Sequence, residues 1–240
     1  MKFLYDNLLF FYLAILISFC IYDISLDRKV EVKKPLEVKE IQKKITKDVI
    51  SLNAKKREFC NLIIPIIDKV HNELEIQFEE ISKNLTNEKY KQRISDLKEK
   101  YKVQTDEELL MALKPHPKSI AIAQAAIESA WARSRFFKEA NNIYGMWSVN
   151  KNAPRIAAAQ MRGENTIWLK KYPSLEESIR DYYKTLARNR AYRDFRKLKM
   201  QTDDPCKLVE KLDKYSETGE KYTQDLSKII IYNKFYMYDE

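Results

Sequence analysis

Glycine is nearly absent, with three residues in a chain of 240. So few glycines argue against a Gly-rich nucleotide loop and a turn-dense β-sandwich. Seven prolines without a Gly-X-Y period exclude collagen. Cys20, Cys60 and Cys206 stand far apart, with no Cys-x-x-Cys and no His beside them, so they build neither a zinc site nor a disulfide framework. His71 and His116 have no partners at triad or metal-binding spacing. With histidine, cysteine and metal chemistry unsupported, any reaction here falls to carboxylates, and no cofactor is expected.

Hydrophobic residues at 45% and charged residues at 33% support a packed core and exclude wholesale disorder. The length suits one domain with appendages. The net charge of +9 favours anionic partners such as nucleic acid, membrane surfaces or acidic polysaccharides, without choosing among them. Lys and Arg are interleaved with acids and no nucleic-acid motif is present, so no nucleic-acid partner is expected. No internal repeat is visible.

Leu8 to Tyr22 is apolar except for Ser18. It is shorter than the roughly 20 residues of a free-standing span and long enough for a secretory h-region. Ser18-Phe19-Cys20 imitates a cleavage or lipoprotein site poorly, which favours an uncleaved signal anchor over a cleaved signal or a buried core helix. Arg28, Lys29, Lys33 and Lys34 follow the run, against the positive-inside rule for an exported body. The expected organisation is a signal anchor or signal peptide over 1–26 and a charged stalk over 27–55. A helical extension over 56–114 then packs on a catalytic domain over 115–240.

Helical periodicity dominates from residue 56. Phe59, Leu62, Ile63, Ile66, Ile67 and Val70 share one face, with Pro65 placed to bend the helix. Tyr90, Ile94, Leu97 and Tyr101 mark a second helix. Thr105 followed by Asp106, Glu107 and Glu108 is a helix start, and Pro117 opens another. Between Asn142 and Tyr172, Ile143–Trp147 and Thr166–Leu169 are β-prone stretches around a Gly/Asn turn, which predicts a small hairpin. Helices resume over 175–188, 192–200, 206–212 and 226–235. The fold class is α+β, predominantly helical, with a small β-hairpin lobe inserted between helices.

The window Ser119–Ala132 (SIAIAQAAIESAWA) carries one charge, Glu128. Ile120, Ala123, Ile127 and Trp131 form one face and small alanines cover much of the rest, so this helix is buried nearly all round. Glu128 has no cation among its helical neighbours Gln124, Ala125, Trp131 and Ala132. Burial without a cation raises a carboxyl pKa, and a carboxyl that keeps its proton near neutrality is a general acid. The alternative is a Glu at the helix edge, pointing into water or paired with a distant cation. Gln124, one turn earlier, is placed to hydrogen-bond Glu128, a sugar or backbone. Asn141, Asn142, Tyr144, Gly145 and Trp147 follow with amides for hydroxyls, rings for pyranose faces and a glycine for close backbone approach, a set that suits a sugar cleft. Arg133 and Arg135 are solvated or meet substrate carboxylates.

AIAQAAIESAWARSRFF followed by NNIYGMW resembles the Bax-like branch of the endo-β-N-acetylglucosaminidase family, glycoside hydrolase family 73. YPSLEESIRDYYKTLARNRAYRDFR and YSETGEKYTQDLSKIIIYNKFYMYD extend the likeness in order to the end of the chain. The resemblance implies a lysozyme-like domain that cleaves peptidoglycan glycan strands at N-acetylglucosaminyl β-1,4 bonds, with Glu128 as acid. It implies a site tyrosine at Tyr182, which otherwise reads as a core aromatic, and a second carboxylate at Glu164, which otherwise reads as an exposed turn acid. It adds Trp131 to the substrate-binding residues. Ala130 and Ala132 stand where the family usually has Gly, and the added methyls stiffen the helix.

Three readings follow. The first is an exported or membrane-anchored monomeric peptidoglycan glycosidase facing the periplasm. The second is a binding module whose chemistry has lapsed. The third is a wall amidase, a label the family has carried, against which the absence of a zinc set and of Cys/His or Ser/His pairs argues.

Overall fold

The computed structural model describes residues 36–162 and 165–240. The apolar run expected as an anchor, and Gly163 and Glu164, lie outside these residues. Among the described residues no helix is long and apolar enough to cross a membrane. The chain divides into two compact units, Met1–Ser51 and Leu52–Glu240. The packing that forms the site lies within the second.

Helix α1 spans Leu36–Lys83 and continues through Pro65. It is followed by α2 (Lys91–Tyr101), α3 (Asp106–Leu113), α4 (Lys118–Glu128) and α5 (Arg135–Ala140). A two-stranded antiparallel hairpin, β1 (Arg155–Arg162) and β2 (Asn165–Lys170), comes next. The chain closes with α6 (Leu175–Arg188), α7 (Arg193–Leu198), α8 (Pro205–Val209) and α9 (Glu220–Tyr232), with short 3₁₀ turns between several of them.

The sequence explains most of these boundaries. Thr105 accepts the Glu108 N–H while Glu108 accepts the Gln104 N–H, so both side chains satisfy orphan donors at the start of α3. Ser174 accepts from Glu177 N–H and opens α6. Ile179, Tyr182, Tyr183 and Leu186 of α6 are all buried, the i, i+3, i+4, i+7 stripe of an amphipathic helix.

Helix α4 is the centre of the core. Every residue from Ser119 to Ala126 is buried. Around Ile120, Ile122 and the alanines pack Phe59, Ile63 and Ile67 of α1, Ile179 and Tyr182 of α6, Leu208 of α8, and Leu226 and Ile230 of α9. Burial of each such large side chain contributes roughly 1.5–3 kcal/mol. Alanine on α4 lets these helices approach it from all sides. A second cluster joins Ile81, Ile94, Leu97, Leu109, Leu113 and Ala187.

Two expectations are corrected. The hairpin pairs 155–162 with 165–170 and carries an irregularity between Ala157 and Met161; Ile143–Trp147 is not a strand, and only Trp147 bridges to Leu169. Alanine-rich β1 (RIAAAQMR) has weak intrinsic strand preference, and pairing with β2 overrides it.

The second correction concerns the end of α4. The helix stops at Glu128, and Ala130, Trp131 and Ala132 all adopt left-handed conformations, with φ of 50°, 58° and 62°. Trp131 N–H donates to Ala126 C=O at 2.9 Å and Ala130 N–H to Ile127 C=O at 3.2 Å, the paired bonds of a Schellman ending. Ser129 supplies the rest: its hydroxyl donates to Ala125 C=O at 2.5 Å and accepts from Ala132 N–H at 2.8 Å. The methyls of Ala130 and Ala132 therefore do not stiffen a helix. They sit where glycine is favoured, at about 1–2 kcal/mol each.

Candidate active site

Glu128 is the last residue of α4, so its side chain leaves the core at the point where the helix ends. It lines a groove of about 620 Å³ with Ile127, Ser216, Tyr222, Asp225 and Lys228. A cavity of similar size, about 640 Å³, lies among Lys100, Tyr172, Arg180 and Lys184 and does not include Glu128.

The carboxyl is held from two sides. Tyr222 Oη donates to Glu128 Oε1 at 3.0 Å. On the other side is Gly145, at φ +65°, where a Cβ would stand 3.4 Å from Glu128 Oε2. Glycine there satisfies the left-handed backbone and keeps the space beside Oε2 open. Among the described residues no Lys or Arg forms an ion pair with Glu128. Burial pushes the carboxyl up to about 7, with the Tyr222 hydrogen bond opposing the rise. Near neutrality Glu128 is therefore poised between acid and carboxylate.

Tyrosines complete the surroundings. Tyr215 stacks on Tyr222 with planes 8° apart and centroids at 5.7 Å, and donates to Tyr144 C=O at 3.1 Å. Burial raises the Tyr192 phenol to about 12, and the charge of Glu128 adds to the rise. Tyr215 is raised by burial and then by Tyr222 and Glu128.

Behind Tyr222 lies a buried chain of hydrogen bonds. Tyr182 Oη donates to Gln124 Oε1 at 2.6 Å, and Gln124 Nε2 donates to Tyr222 Oη at 2.9 Å. Tyr182 and Gln124 are both fully buried. Neither faces the groove. Tyr182, the expected site tyrosine, is linked to Glu128 through Gln124 and Tyr222, and the Gln124 amide is bonded on both its oxygen and its nitrogen.

Other expected sugar contacts are used within the protein. Asn142 donates from Nδ2 to the carbonyls of Met146 and Lys170 and accepts Met146 N–H on Oδ1, closing the 142–146 loop. Asn141 takes the left-handed position ending α5 and donates to Tyr172 C=O. Tyr144 is buried, stacked on Tyr182 at 3.8 Å with planes 8° apart, so its faces are covered. Trp131 packs edge-on against Phe59 at 5.2 Å and under Lys56 Nζ at 4.9 Å, apart from the groove of Glu128. These four residues shape the loop and the core through the bonds and packing just described. Trp147 is 54% exposed and remains a candidate platform. Arg133 pairs with Glu58 and Arg135 with Glu139.

Sequence reasoning missed Tyr222, the residue that touches Glu128. Its helix reads as starting at Leu226 because Glu220, Lys221, Gln224 and Asp225 dilute the apolar stripe. The signal was the spacing Tyr222, Leu226, Ile229, Ile230 behind Gly219, which continues the helical period back one turn. Among the described residues no group of His, Cys, Asp and Glu could hold a metal ion.

A family model described as Mannosyl-glycoprotein endo-beta-N-acetylglucosaminidase matches residues 104–235. Protein bax of Escherichia coli (strain K12) is 26% identical over 148 residues, 56% of this chain and 52% of that protein. The chain thus spans about half the length of this relative. The catalytic domain of the autolysin Auto from Listeria monocytogenes is 21% identical, with 72% of this chain and 88% of that one covered and a TM-score of 0.44. A C-terminally truncated glycoside hydrolase domain of FlgJ from Salmonella typhimurium is 20% identical, with 59% and 97% covered and a TM-score of 0.41.

Proposed function

Because the chain belongs to the glucosaminidase family, over residues that include Glu128, Gly145, Tyr182 and Tyr222, we propose that it is a peptidoglycan hydrolase that cuts the glycan strand at N-acetylglucosaminyl β-1,4 bonds. The observation that carries this reading is the carboxyl of Glu128, held near pH 7 by burial, met by one tyrosine hydroxyl and open to a groove. Glu128 gives its proton to the glycosidic oxygen as the C1–O bond breaks, so the leaving sugar departs as an alcohol. The electron deficiency at C1 is met by a water oxygen or by the carbonyl oxygen of the substrate's own 2-acetamido group. Water finally supplies the hydroxyl at C1 and returns a proton to Glu128.

Glu164, which follows β1 and precedes β2 in the sequence, is the second carboxylate in this proposal. A separation of about 6.5–9.5 Å from Glu128 would fit water attack with inversion, and about 5–5.5 Å a covalent intermediate. Trp147 offers a ring to a pyranose face. Lys221 and Lys228 at the groove suit an anionic strand. The continuous hydrogen bonding of the 129–134 turn supports an intact cleft despite alanine at 130 and 132. Such a substrate places the body outside the cytoplasmic membrane, in the cell envelope, with the apolar run near the N-terminus as leader or anchor.

The test is release of muropeptides and new reducing ends from purified sacculi. The wild-type chain releases both and Glu128→Gln releases neither. Equal turnover by the variant would reject Glu128 as the acid. Free amino termini on the products, without new reducing ends, would instead indicate an amidase.

A further inference from the structure

The buried chain behind Glu128 has a direction. Tyr182 donates to Gln124 Oε1, so the Gln124 amide must present its NH₂ to Tyr222. Tyr222 Oη, already accepting from Gln124, turns its own proton toward Glu128 Oε1. Each link has one role because the link behind it has taken the other. The two oxygens of Glu128 are thereby made unequal. Oε1 is occupied as an acceptor, while Oε2 faces the space that Gly145 leaves open.

We propose that Tyr182 and Gln124 are positioning residues which, through Tyr222, keep Glu128 Oε1 an acceptor and so place the acid proton on Oε2, the oxygen beside Gly145. This rests on Glu128 being the acid, and it assigns the work of orienting that acid to two side chains that never meet substrate. A buried glutamine with no such constraint is free to turn its amide by half a rotation. Gln124 Oε1 would then take the Tyr222 proton, and Glu128 Oε1 would lose its donor and compete with Oε2 for the acid proton. The Tyr182 hydroxyl disfavours that turn, because its oxygen would then accept from the amide and its own buried proton would lose its acceptor. The remaining groups around Glu128 do not supply the same control. Among the described residues, Tyr215 gives its proton to Tyr144 C=O, Tyr192 makes no hydrogen bond to the carboxyl, and Lys221, Asp225 and Lys228 line the groove without pairing with Glu128.

The experiment is a pH titration of the Glu128 side-chain carboxyl by carbon-13 NMR on the full chain without substrate, with Glu128→Gln assigning the signal. Wild type is expected to titrate near 7. Tyr182→Phe, which releases the amide, should move the midpoint to higher pH, because Tyr222 is then free to turn its proton from Glu128 to Gln124 Oε1, and Tyr222→Phe, which removes that donor outright, should move it at least as far. On sacculi, Tyr182→Phe should lose about tenfold in kcat with KM within about twofold, and the basic limb of the rate profile should follow the NMR midpoint upward. A midpoint unmoved in folded Tyr182→Phe would overturn the relay, whatever its activity. Tyr182→Phe keeps the ring stacked on Tyr144, and in the wild type itself a nuclear Overhauser contact from the Gln124 NH₂ protons to the Tyr182 ring in place of the Tyr222 ring would overturn the relay without any variant. Because the titration needs no substrate, a shifted midpoint in a chain that cuts no sacculi would reject the glycosidase reading while leaving the relay standing.

Discussion

At its N-terminal end α4 meets Asp239 through Ser119 and lines a pocket with His71 and His116, the latter stacked on Tyr183; at its C-terminal end it meets Tyr222, on which Tyr215 stacks. Both ends bury polar groups, but differently. At the Glu128 end every link from Tyr182 through Gln124 to Tyr222 has a donor and an acceptor. At the other end Asp239 Oδ1 accepts the Ser119 N–H at 2.8 Å. Yet Ser119 Oγ, His116 Nε2, Tyr183 Oη and Asp239 Oδ2 are buried with no hydrogen-bonding partner among the described residues. A complete network fixes one geometry, which a reacting group needs.

The largest expected effect separates the ends by activity. Glu128→Gln should lower glycan cleavage by about 10²–10⁴-fold, read as reducing ends released from sacculi. His116→Phe, which keeps a ring on Tyr183, should leave kcat within about twofold. Comparable losses in the two variants would erase the distinction. Tyr222→Phe comes next. It removes the donor to Glu128 Oε1, so kcat should fall by about 10–10²-fold and the basic limb of its pH profile should move upward.

The two ends should also respond to pH with opposite sign. In the folded chain Glu128 binds its proton already near 7, against an ordinary 4.5. Its contribution to stability is complete below about pH 4.5 and is lost as pH rises to about 7. The difference is on the order of 3 kcal/mol. His116 is held neutral, first by burial and then by the charge of Lys199, well below its ordinary 6.5. The unfolded chain takes up that proton first, so stability falls as pH drops below about 6.5. Melting curves between pH 4.5 and 8 should therefore show Glu128→Gln gaining on wild type as pH rises and His116→Phe gaining as pH falls. Parallel curves would break the assignment. The smallest effect lies next to the reactive end: Ala130→Gly and Ala132→Gly should each stabilise by about 0.5–1 kcal/mol, since both positions are left-handed.

Much of this was legible in the sequence where one element's pattern decides. The stripe of Ile179, Tyr182, Tyr183 and Leu186 gave α6 its bounds, and a solitary charge among alanines singled out Glu128. What escaped depends on distant partners. Tyr222 lies 94 positions from the carboxyl it meets, and nothing local distinguishes it from Tyr182, another tyrosine on an amphipathic helix. The asparagines looked available because their loop carbonyl partners become neighbours only when the hairpin folds back. The end of α4 was hidden because alanine, a helix former by preference, occupies a left-handed turn that Ser129 secures.

The ring of phenols around Glu128 has a practical use. Tyr222 is bonded to the titrating carboxyl, and Tyr215 is stacked on it in turn. Gain or loss of one proton should perturb the near-ultraviolet absorption of both chromophores. The protein thus contains its own optical indicator, and a spectrophotometer with unlabelled sample would suffice to follow the protonation of its reactive group.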